Sequence, residues 1–192
     1  MIFTIGHSNR SSSDFITTLL NYQITALADV RSSPYSRYLP HFNQKELRAL
    51  LKSADIAYVY LGDCLGGRTD DPTYLHDDGR VDYERLRESD TFKQGMLRLN
   101  KGMEQYRIAL MCSERDPMDC HRGLMISRSL HERRIDVTHI IDQDSSIRHD
   151  ECLMRLLDKY GMQHDMFASR ESLIDMAYQR RAMEVAYTSK TE

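Results

Sequence analysis

Short strand-like runs alternate with helix-length segments along most of the chain, and no other feature of the sequence constrains the fold as much. Apolar and β-branched residues predict five strands, at residues 2–5, 25–30, 57–61, 108–111 and 137–141. Four helices are predicted between them: one capped by Ser12 or Ser13, one over 43–54, one over 92–103, and one from Asp116 or Asp119 to Arg134. This alternation implies parallel strands joined by right-handed crossovers. The sequence therefore predicts an α/β fold with a mainly parallel sheet flanked by helices, and it leaves the strand order open.

The pattern changes after Ile141. Residues 142–150 are polar, and two amphipathic helices follow, one closed by Gly161 and one opened by Ser169. A chain of 192 residues is long enough for one full hydrophobic core. We therefore expect a single α/β core domain over 1–141 and a C-terminal helical extension over 142–192 that packs on the same domain or forms a homodimer contact. The irregular stretch 62–79 has the length of a functional lid or a disordered loop.

Charge and cysteine content narrow the class of protein. The formal charge is −3, from 26 basic and 29 acidic residues, so no global field attracts nucleic acid or an anionic membrane and any anion must be bound by a local cluster. The four cysteines lie far apart, unlike the framework of a small secreted domain. The N-terminus does not resemble a signal peptide, and no apolar stretch approaches the roughly 20 residues of a membrane span. We expect a cytoplasmic protein that does not contact the membrane.

The residues that follow the predicted strands form one set, because the carboxyl ends of parallel strands meet at the same edge of a sheet whatever the strand order. Arginine predominates in this set. A guanidinium group recognises carboxylate or phosphate through paired hydrogen bonds, so the edge predicts a site for a small anionic ligand. The candidate substrate-binding residues are Arg10, Asp29, Arg31, Arg37, Arg68 and Arg122.

The segment 112–122 contains two thiols, an imidazole and a guanidinium where the fourth strand gives way to a helix. A thiol becomes nucleophilic when nearby cations or a helix N-terminus lower its pKa, to roughly 3.5–7.5. With Asp119 as the N-cap, Cys120 lies in the first helical turn; with Asp116 as the cap, it lies a turn deeper and gains less from the helix dipole. Cys112 is alternatively a small buried hydrophobe. The candidate catalytic residues are Cys120, Cys112, His7, His121 and Glu114.

Two other interpretations of the thiols receive less support. A reversible disulfide between Cys112 and Cys120 lacks the Cys-x-x-Cys spacing of thioredoxin-like proteins. A metal site is disfavoured because adjacent helical residues such as Cys120 and His121 point about 100° apart, and the spacing matches no zinc pattern. A dinucleotide or Walker fingerprint is absent. We therefore expect neither a metal nor a cofactor.

Two further features bear on the ligand. His7 follows the first strand and is either a general base or anion donor, or a histidine bonded only to backbone. Asp29 ends an apolar strand, where a carboxylate requires a partner such as Arg31, and the pair can be a structural one. Basic residues between 31 and 48 are interleaved with Tyr35 and Tyr38, a mixture that can stack bases and is also found in ordinary surface loops. A nucleotide or a single-stranded nucleic-acid end is therefore a possible ligand.

Four blocks of the sequence resemble the signature of a bacterial and archaeal family, the domain of unknown function 488 family. They are Thr4-Ile5-Gly6-His7-Ser8-Asn9-Arg10, Asp29-Val30-Arg31-Ser32 with Pro34 and Ser36-Arg37, Leu65-Gly66-Gly67-Arg68, and Cys112-Ser113-Glu114 through Pro117 to Cys120-His121-Arg122. The blocks span roughly residues 1–141. The resemblance implies a compact single α/β domain whose site gathers these motifs, and it implies no particular reaction.

From these residues we expect an enzyme that acts on a small phosphorylated or nucleotide-like anion through a cysteine, arginine and histidine site. The alternative is a non-catalytic module that binds a nucleotide or nucleic-acid end with the same arginines while the thiols only pack. Rapid alkylation of Cys120, slowed by phosphate or nucleotides, would favour the enzyme.

Overall fold

The computed structural model describes residues 1–163 and 168–189, and these residues build one six-stranded sheet with helices on both faces. The strands are β1 (Ile2–Gly6), β2 (Ala26–Asp29), β3 (Ala57–Tyr60), β4 (Ile108–Cys112), β5 (Val137–Asp142) and β6 (Ser145–Arg148). Their spatial order is β3-β2-β4-β1-β5-β6. The first five pair in parallel, and β6 runs antiparallel to β5. The prediction of an α/β fold with a mainly parallel sheet is confirmed.

The helices occupy most of the segments between strands. They are α1 (Ser12–Asn21), α2 (Gln44–Ser53), α3 (Gly62–Leu65), α4 (Tyr83–Glu88), α5 (Asp90–Met103), α6 (Arg128–Glu132), α7 (His149–Tyr160) and α8 (Arg170–Val185). Short 3₁₀ turns cover Pro40–Phe42, Pro72–Tyr74 and Pro117–Asp119, and a π-helical segment, Arg122–Ser127, runs directly into α6. Among the described residues, no helix is both long enough and apolar enough to span a membrane.

The sheet separates two hydrophobic layers. Successive side chains of a strand point to opposite faces, so alternate residues of β4 enter different layers. Ala109 and Met111 pack with α1 and α2 on one side, whereas Leu110 and Cys112 face the layer that contains α5, the π-helical segment, α7 and α8. The side chain of Cys112 is therefore directed to the face on which the helix after β4 returns.

The helix after β4 begins later than either predicted start. Asp116 caps only a 3₁₀ turn, where its carboxylate accepts a hydrogen bond from the Met118 N–H at 2.8 Å. Cys120 is extended, with φ −147° and ψ 145°, and helical residues start at His121. The Cys120 carbonyl accepts hydrogen bonds from the Gly123 and Leu124 N–H groups at 3.0 and 3.1 Å. The expectation that Cys120 lies within a helical turn is therefore wrong, because it caps the helix instead.

Some elements were not predicted because their sequences carry no periodic apolar pattern. Strand β6 lies at the edge of the sheet and is polar and largely exposed, and α3 occupies only four residues of the stretch expected to be irregular. The two helices expected after residue 150 are present as α7 and α8. Residues 164–167 and 190–192 of the expected extension lie outside the described residues. The division of the chain at residue 141 stays a prediction.

Candidate active site

A cavity of about 150 Å³ opens at the carboxyl edge of the sheet, where α/β proteins usually bind ligands. Its walls come from the segments that follow β2, α3 and β4, together with the start of the helix after β4 and the end of α8. The lining residues are Arg31, Ser32, Ser33, Gly67, Arg68, Tyr83, Cys112, Ser113, Glu114, Asp119, Cys120, His121, Val185 and Tyr187. The structure therefore brings both predicted thiols, His121, Glu114 and two of the predicted arginines to one cavity.

Cys112, Cys120 and His121 form a compact thiol–imidazole cluster in the wall of this cavity. The Sγ atoms of both cysteines lie 3.7 Å from His121 Nδ1, and the three donor atoms lie within 4.8 Å of one another. The other ring nitrogen, Nε2, lies 2.9 Å from the Val30 carbonyl oxygen, which accepts its hydrogen bond. This bond fixes the ring so that Nδ1 faces the two sulfur atoms.

Backbone geometry brings the cluster together. Cys112 is the last residue of β4, Cys120 is extended, and His121 is the first helical residue, so the chain reverses between the two thiols. Gly67 packs against the imidazole so closely that a Cβ there would lie 2.5 Å from His121 Cγ. Glycine is therefore the residue that lets the loop after α3 approach the ring.

The two thiols differ in protonation. Burial raises the pKa of Cys120, but the hydrogen bond from Cys112 and the positive charges of His121 and Arg122 outweigh burial and place this pKa well below its usual value. The same hydrogen bond, with burial, raises the pKa of Cys112 well above its usual value. Burial lowers the pKa of His121, yet the Cys120 thiolate outweighs burial and the net shift is upward. These shifts favour a Cys120 thiolate beside a His121 imidazolium, with the proton retained on Cys112.

Glu114 lies beside the cluster. Its Oε2 atom is 3.1 Å from Cys112 Sγ. Burial, followed by the negative charge of Cys120, raises the pKa of this carboxyl group. A carboxyl group in this position can accept or return a proton near the two thiols.

Arg31 lines the cavity and is held by a buried ion pair. Its Nε donates to Asp29 Oδ1 at 2.9 Å and its Nη2 to Asp29 Oδ2 at 2.7 Å, and Nη2 also donates to the Phe42 carbonyl at 2.8 Å. Asp29 is completely buried and therefore orients the guanidinium instead of contacting a ligand. This is the structural ion pair that the sequence allowed, and it serves the site through Arg31.

Arg68 reaches the same cavity from the loop after α3. Its backbone N–H donates to Ser32 Oγ at 3.0 Å, and its guanidinium lies over the Tyr187 ring, 5.0 Å from the centroid. Stacking on a ring face does not use the guanidinium N–H groups, which stay available to an anion.

Arg122 does not line the cavity, although the sequence placed it among the anion-binding candidates. Its side chain is fully buried. It donates to the carbonyl oxygens of Glu114 and Arg115 at 2.6 and 2.8 Å and to Thr4 Oγ1 at 3.3 Å. Arg122 therefore holds the loop after β4 in place and adds positive charge near Cys120.

Two more predicted arginines also lie outside the cavity lining. Arg10 donates to the carbonyl of Ile141 and pairs with Asp142 at 3.2 Å. Arg37 is exposed, and its guanidinium lies 5.5 Å from the centroid of the Tyr38 ring. The strand-end rule grouped these residues with the cavity residues but did not determine which partners their side chains contact.

His7 lies one layer away from the cavity. Its Nδ1 donates to the Ser8 carbonyl at 2.8 Å, its ring stacks on Phe42 with centroids 4.3 Å apart, and its Nε2 lies 3.4 Å from Arg31 Nη1. Burial lowers the pKa of His7 to about 4, so the ring is neutral near pH 7. Of the two interpretations of His7, the backbone-bonded histidine matches this geometry, and the ring supports Arg31.

The C-terminal segment contributes lining residues that sequence reasoning missed. Val185 ends α8, and Tyr187 is brought to the cavity because its carbonyl accepts a hydrogen bond from the Val81 N–H at 2.9 Å. Tyr83, at the start of α4, was also missed. These residues lie far from the thiols in the sequence, and no sequence motif predicts such a long-range contact.

The cluster also has the donor set of a metal site, since the two sulfur atoms and the imidazole nitrogen are possible ligands. The sequence argument against a shared ion assumed that Cys120 and His121 are both helical. That assumption is wrong for Cys120, and its extended backbone lets both side chains face the same point.

A comparison with models of protein families identifies the family of this chain. The model described as "Domain of unknown function DUF488" matches residues 11–128, which is more than half of the chain and includes the segment from Cys112 to His121. No match was found to a curated protein or to a solved structure. Three of the four sequence blocks lie within the matched residues, and the chain therefore belongs to the DUF488 family, as the resemblance indicated.

Proposed function

We propose that this protein is a thiol-dependent enzyme that acts on a small anionic substrate, phosphorylated or nucleotide-like, with Cys120 as its nucleophile. The observation that carries the proposal is that the Cys120–His121 pair, Arg31 and Arg68 all line one cavity of about 150 Å³. A nucleophile, a proton donor and anion-binding groups in one concave site are the parts that such a reaction needs.

Cys120 is the nucleophile because it is the thiol that is held ionised. Its sulfur lies 3.7 Å from His121 Nδ1, and it also accepts the Arg122 backbone N–H at 3.5 Å. In the reaction the Cys120 sulfur forms a bond to the electrophilic centre of the substrate while the bond to the leaving group breaks. The proton on His121 Nδ1 passes to the leaving group, so the imidazole becomes neutral.

Cys112 has a supporting role. Its pKa is raised, and its sulfur lies 3.1 Å from the Glu114 carboxylate, where a second negative charge is unfavourable. Cys112 therefore stays a thiol that donates to Glu114, and the negative charge of the thiol pair stays on Cys120.

The anion is bound by two guanidinium groups of different character. Arg31 is fixed by Asp29, which offsets its charge; because Nε and Nη2 are bonded to Asp29 and the Phe42 carbonyl, Nη1 is the donor that remains for an anion. Arg68 is exposed and stacks on Tyr187, so it supplies the more accessible positive charge. One fixed and one adjustable guanidinium can bind a tetrahedral or planar anion.

The size of the cavity limits what it encloses. Pockets for small molecules commonly start at about 300 Å³, twice the volume available here. Only the reacting group of a nucleotide fits inside, and the rest of such a substrate lies outside the mouth. Tyr35 and Tyr38, which are 71% and 85% exposed, follow the lining residues Ser32 and Ser33 in the chain and are available for stacking.

The proposal is tested by turnover of a panel of phosphate monoesters and nucleotides. Cys120→Ser should abolish turnover, because a hydroxyl with an ordinary pKa is not ionised near pH 7. Cys152→Ser is the matched control: Cys152 is also buried but lies on α7 and does not line the cavity. Full turnover by Cys120→Ser would overturn the proposal. Binding of phosphate or nucleotide without turnover of any panel member, combined with an inert Cys120, would instead identify a binding module.

A further inference from the structure

The donor atoms of the thiol–imidazole cluster are spaced as they would be around one tetrahedral ion. Zn²⁺ binds thiolate sulfur at about 2.3 Å and imidazole nitrogen at about 2.0–2.1 Å, which at a tetrahedral angle separates sulfur from nitrogen by about 3.6 Å. Both Sγ atoms lie 3.7 Å from His121 Nδ1. The two sulfur-to-nitrogen distances therefore already match such a site, and the sulfur atoms lie within 4.8 Å of each other against the roughly 3.8 Å that a tetrahedral ion requires.

The outer partner of His121 is also that of a metal-binding imidazole. A histidine that ligates a metal through one nitrogen almost always donates its other N–H to a carbonyl, a carboxylate or water. His121 Nε2 donates to the Val30 carbonyl at 2.9 Å, and Gly67 packs on the ring and prevents it from turning. Nδ1 is thereby directed at the point between the sulfur atoms.

A fourth donor is adjacent. Glu114 Oε2 lies 3.1 Å from Cys112 Sγ, within reach of an ion that this sulfur binds. Two thiolates balance the charge of a divalent cation. The Glu114 carboxylate adds a third negative charge, and the buried guanidinium of Arg122, which donates to the Glu114 carbonyl at 2.6 Å, offsets it. Sulfur ligands favour zinc-like ions over Mg²⁺ and Ca²⁺, which prefer oxygen.

We propose that Cys112, Cys120 and His121 bind Zn²⁺ or another thiophilic divalent cation, with Glu114 as the fourth ligand. Binding releases the thiol proton of Cys112 and the Nδ1 proton of His121 to solvent, so both sulfur atoms bind as thiolates and the imidazole binds as a neutral ligand. The binding itself is independent of the proposed catalysis. Its regulatory consequence rests on the proposed function: a sulfur bonded to the cation cannot attack a substrate, so the bound cation switches Cys120 off.

The experiment uses the full chain, freed of metal with a chelator, and titrates it with Zn²⁺ in a calorimeter and with Co²⁺ in a spectrophotometer. We expect one ion per chain and a thiolate-to-cobalt charge-transfer band. Cys112→Ser and His121→Asn should each weaken binding by more than the roughly 10–100-fold that loss of an outer-shell partner causes. Cys152→Ser should bind like the unmodified chain. Circular dichroism shows that each variant is folded.

Absence of stoichiometric binding, or a cobalt spectrum without the charge-transfer band, would overturn the metal site. Unchanged affinity in a folded Cys112→Ser variant would do the same. Turnover of the substrate panel separates this proposal from the previous one. If the protein binds zinc but turns over no substrate, the metal site is supported and the proposed enzymatic function is refuted. If turnover persists at saturating Zn²⁺, the proposed inhibition of Cys120 by the cation is refuted.

Discussion

Replacement of Gly67 by alanine tests whether the position of His121 controls the Cys120 thiol. The new Cβ would lie 2.5 Å from His121 Cγ, 2.6 Å from its Cβ and 2.9 Å from Nδ1, whereas ordinary contacts start at 3.4 Å. The imidazole must therefore move by about 1 Å to restore normal contacts with the new methyl group. The ring is held between the Val30 carbonyl on one side and two sulfur atoms on the other, so a shift of this size breaks at least one of these interactions.

The displacement should lower the reactivity of Cys120 by about 10- to 100-fold, because a misplacement of 1 Å at a reacting group can reduce rates by about two orders of magnitude. Added volume in a packed site also lowers the free energy of unfolding, by about 1–3 kcal/mol. The assay is the second-order rate constant of Cys120 with iodoacetamide near pH 7, assigned by peptide mass spectrometry, together with thermal unfolding.

Gly161→Ala is the matched control. Gly161 has a φ of +65° and no atom within 4 Å of its added Cβ, so alanine there strains the backbone without a clash and lies on the loop after α7. It should lower stability by about 1–2 kcal/mol and leave the alkylation of Cys120 unchanged. The reasoning would be refuted by a folded Gly67→Ala protein that reacts at the unmodified rate, or by an equal loss of reactivity in the control.

Three further predictions concern buried histidines and two of the arginines. Burial lowers the pKa of His7 to about 4 and that of His149 to about 3, so below pH 6.5 the unfolded chain takes up protons before the folded chain does. These two rings alone should lower the free energy of unfolding by on the order of 4 kcal/mol between pH 7 and pH 5 in urea titrations, burial of His139 acts in the same direction, and a flat profile would contradict the buried neutral rings. Arg122→Met should cost roughly 1–3 kcal/mol in chemical unfolding, because the carbonyl groups of Glu114 and Arg115 lose their donor; unchanged stability would contradict its structural role. Arg68→Ala should leave stability nearly unchanged and weaken the protection of Cys120 by inorganic phosphate about tenfold, and undiminished protection would remove Arg68 from the anion site.

The sequence predicts those strands and helices whose buried residues form a recognisable pattern of apolar side chains. The five parallel strands are apolar runs, and each was located to within one residue at its ends. Strand β6 is polar because it lies at an edge, so its sequence resembles a loop. The helix after β4 starts late because the backbone of Cys120 is extended. The sequence did not predict this, because the upstream pair Asp116-Pro117 is typical of a helix start.

The candidate site was located by the rule that parallel strands end at one edge. That rule placed Arg31 and Cys112 at the cavity, because each lies at or just beyond the end of a strand. It could not separate these residues from Arg10 and Arg122, whose partners include backbone carbonyl groups brought close by tertiary structure. Backbone acceptors have no signature in the sequence, and neither does the arrival of Tyr187 from the far end of the chain.

The alkylation rate of Cys120 as a function of pH tests the central claim most directly. The charge of His121 and the hydrogen bond from Cys112 outweigh burial and keep the pKa of Cys120 low, whereas burial raises the pKa of Cys152 to about 12. We predict that Cys120 reaches half of its maximal rate well below the ordinary thiol value, that Cys152 stays inert in the folded protein, and that inorganic phosphate slows the reaction of Cys120. A half-maximal rate near the ordinary thiol value of about 8.5, unaffected by phosphate, would contradict an activated nucleophile in an anion site.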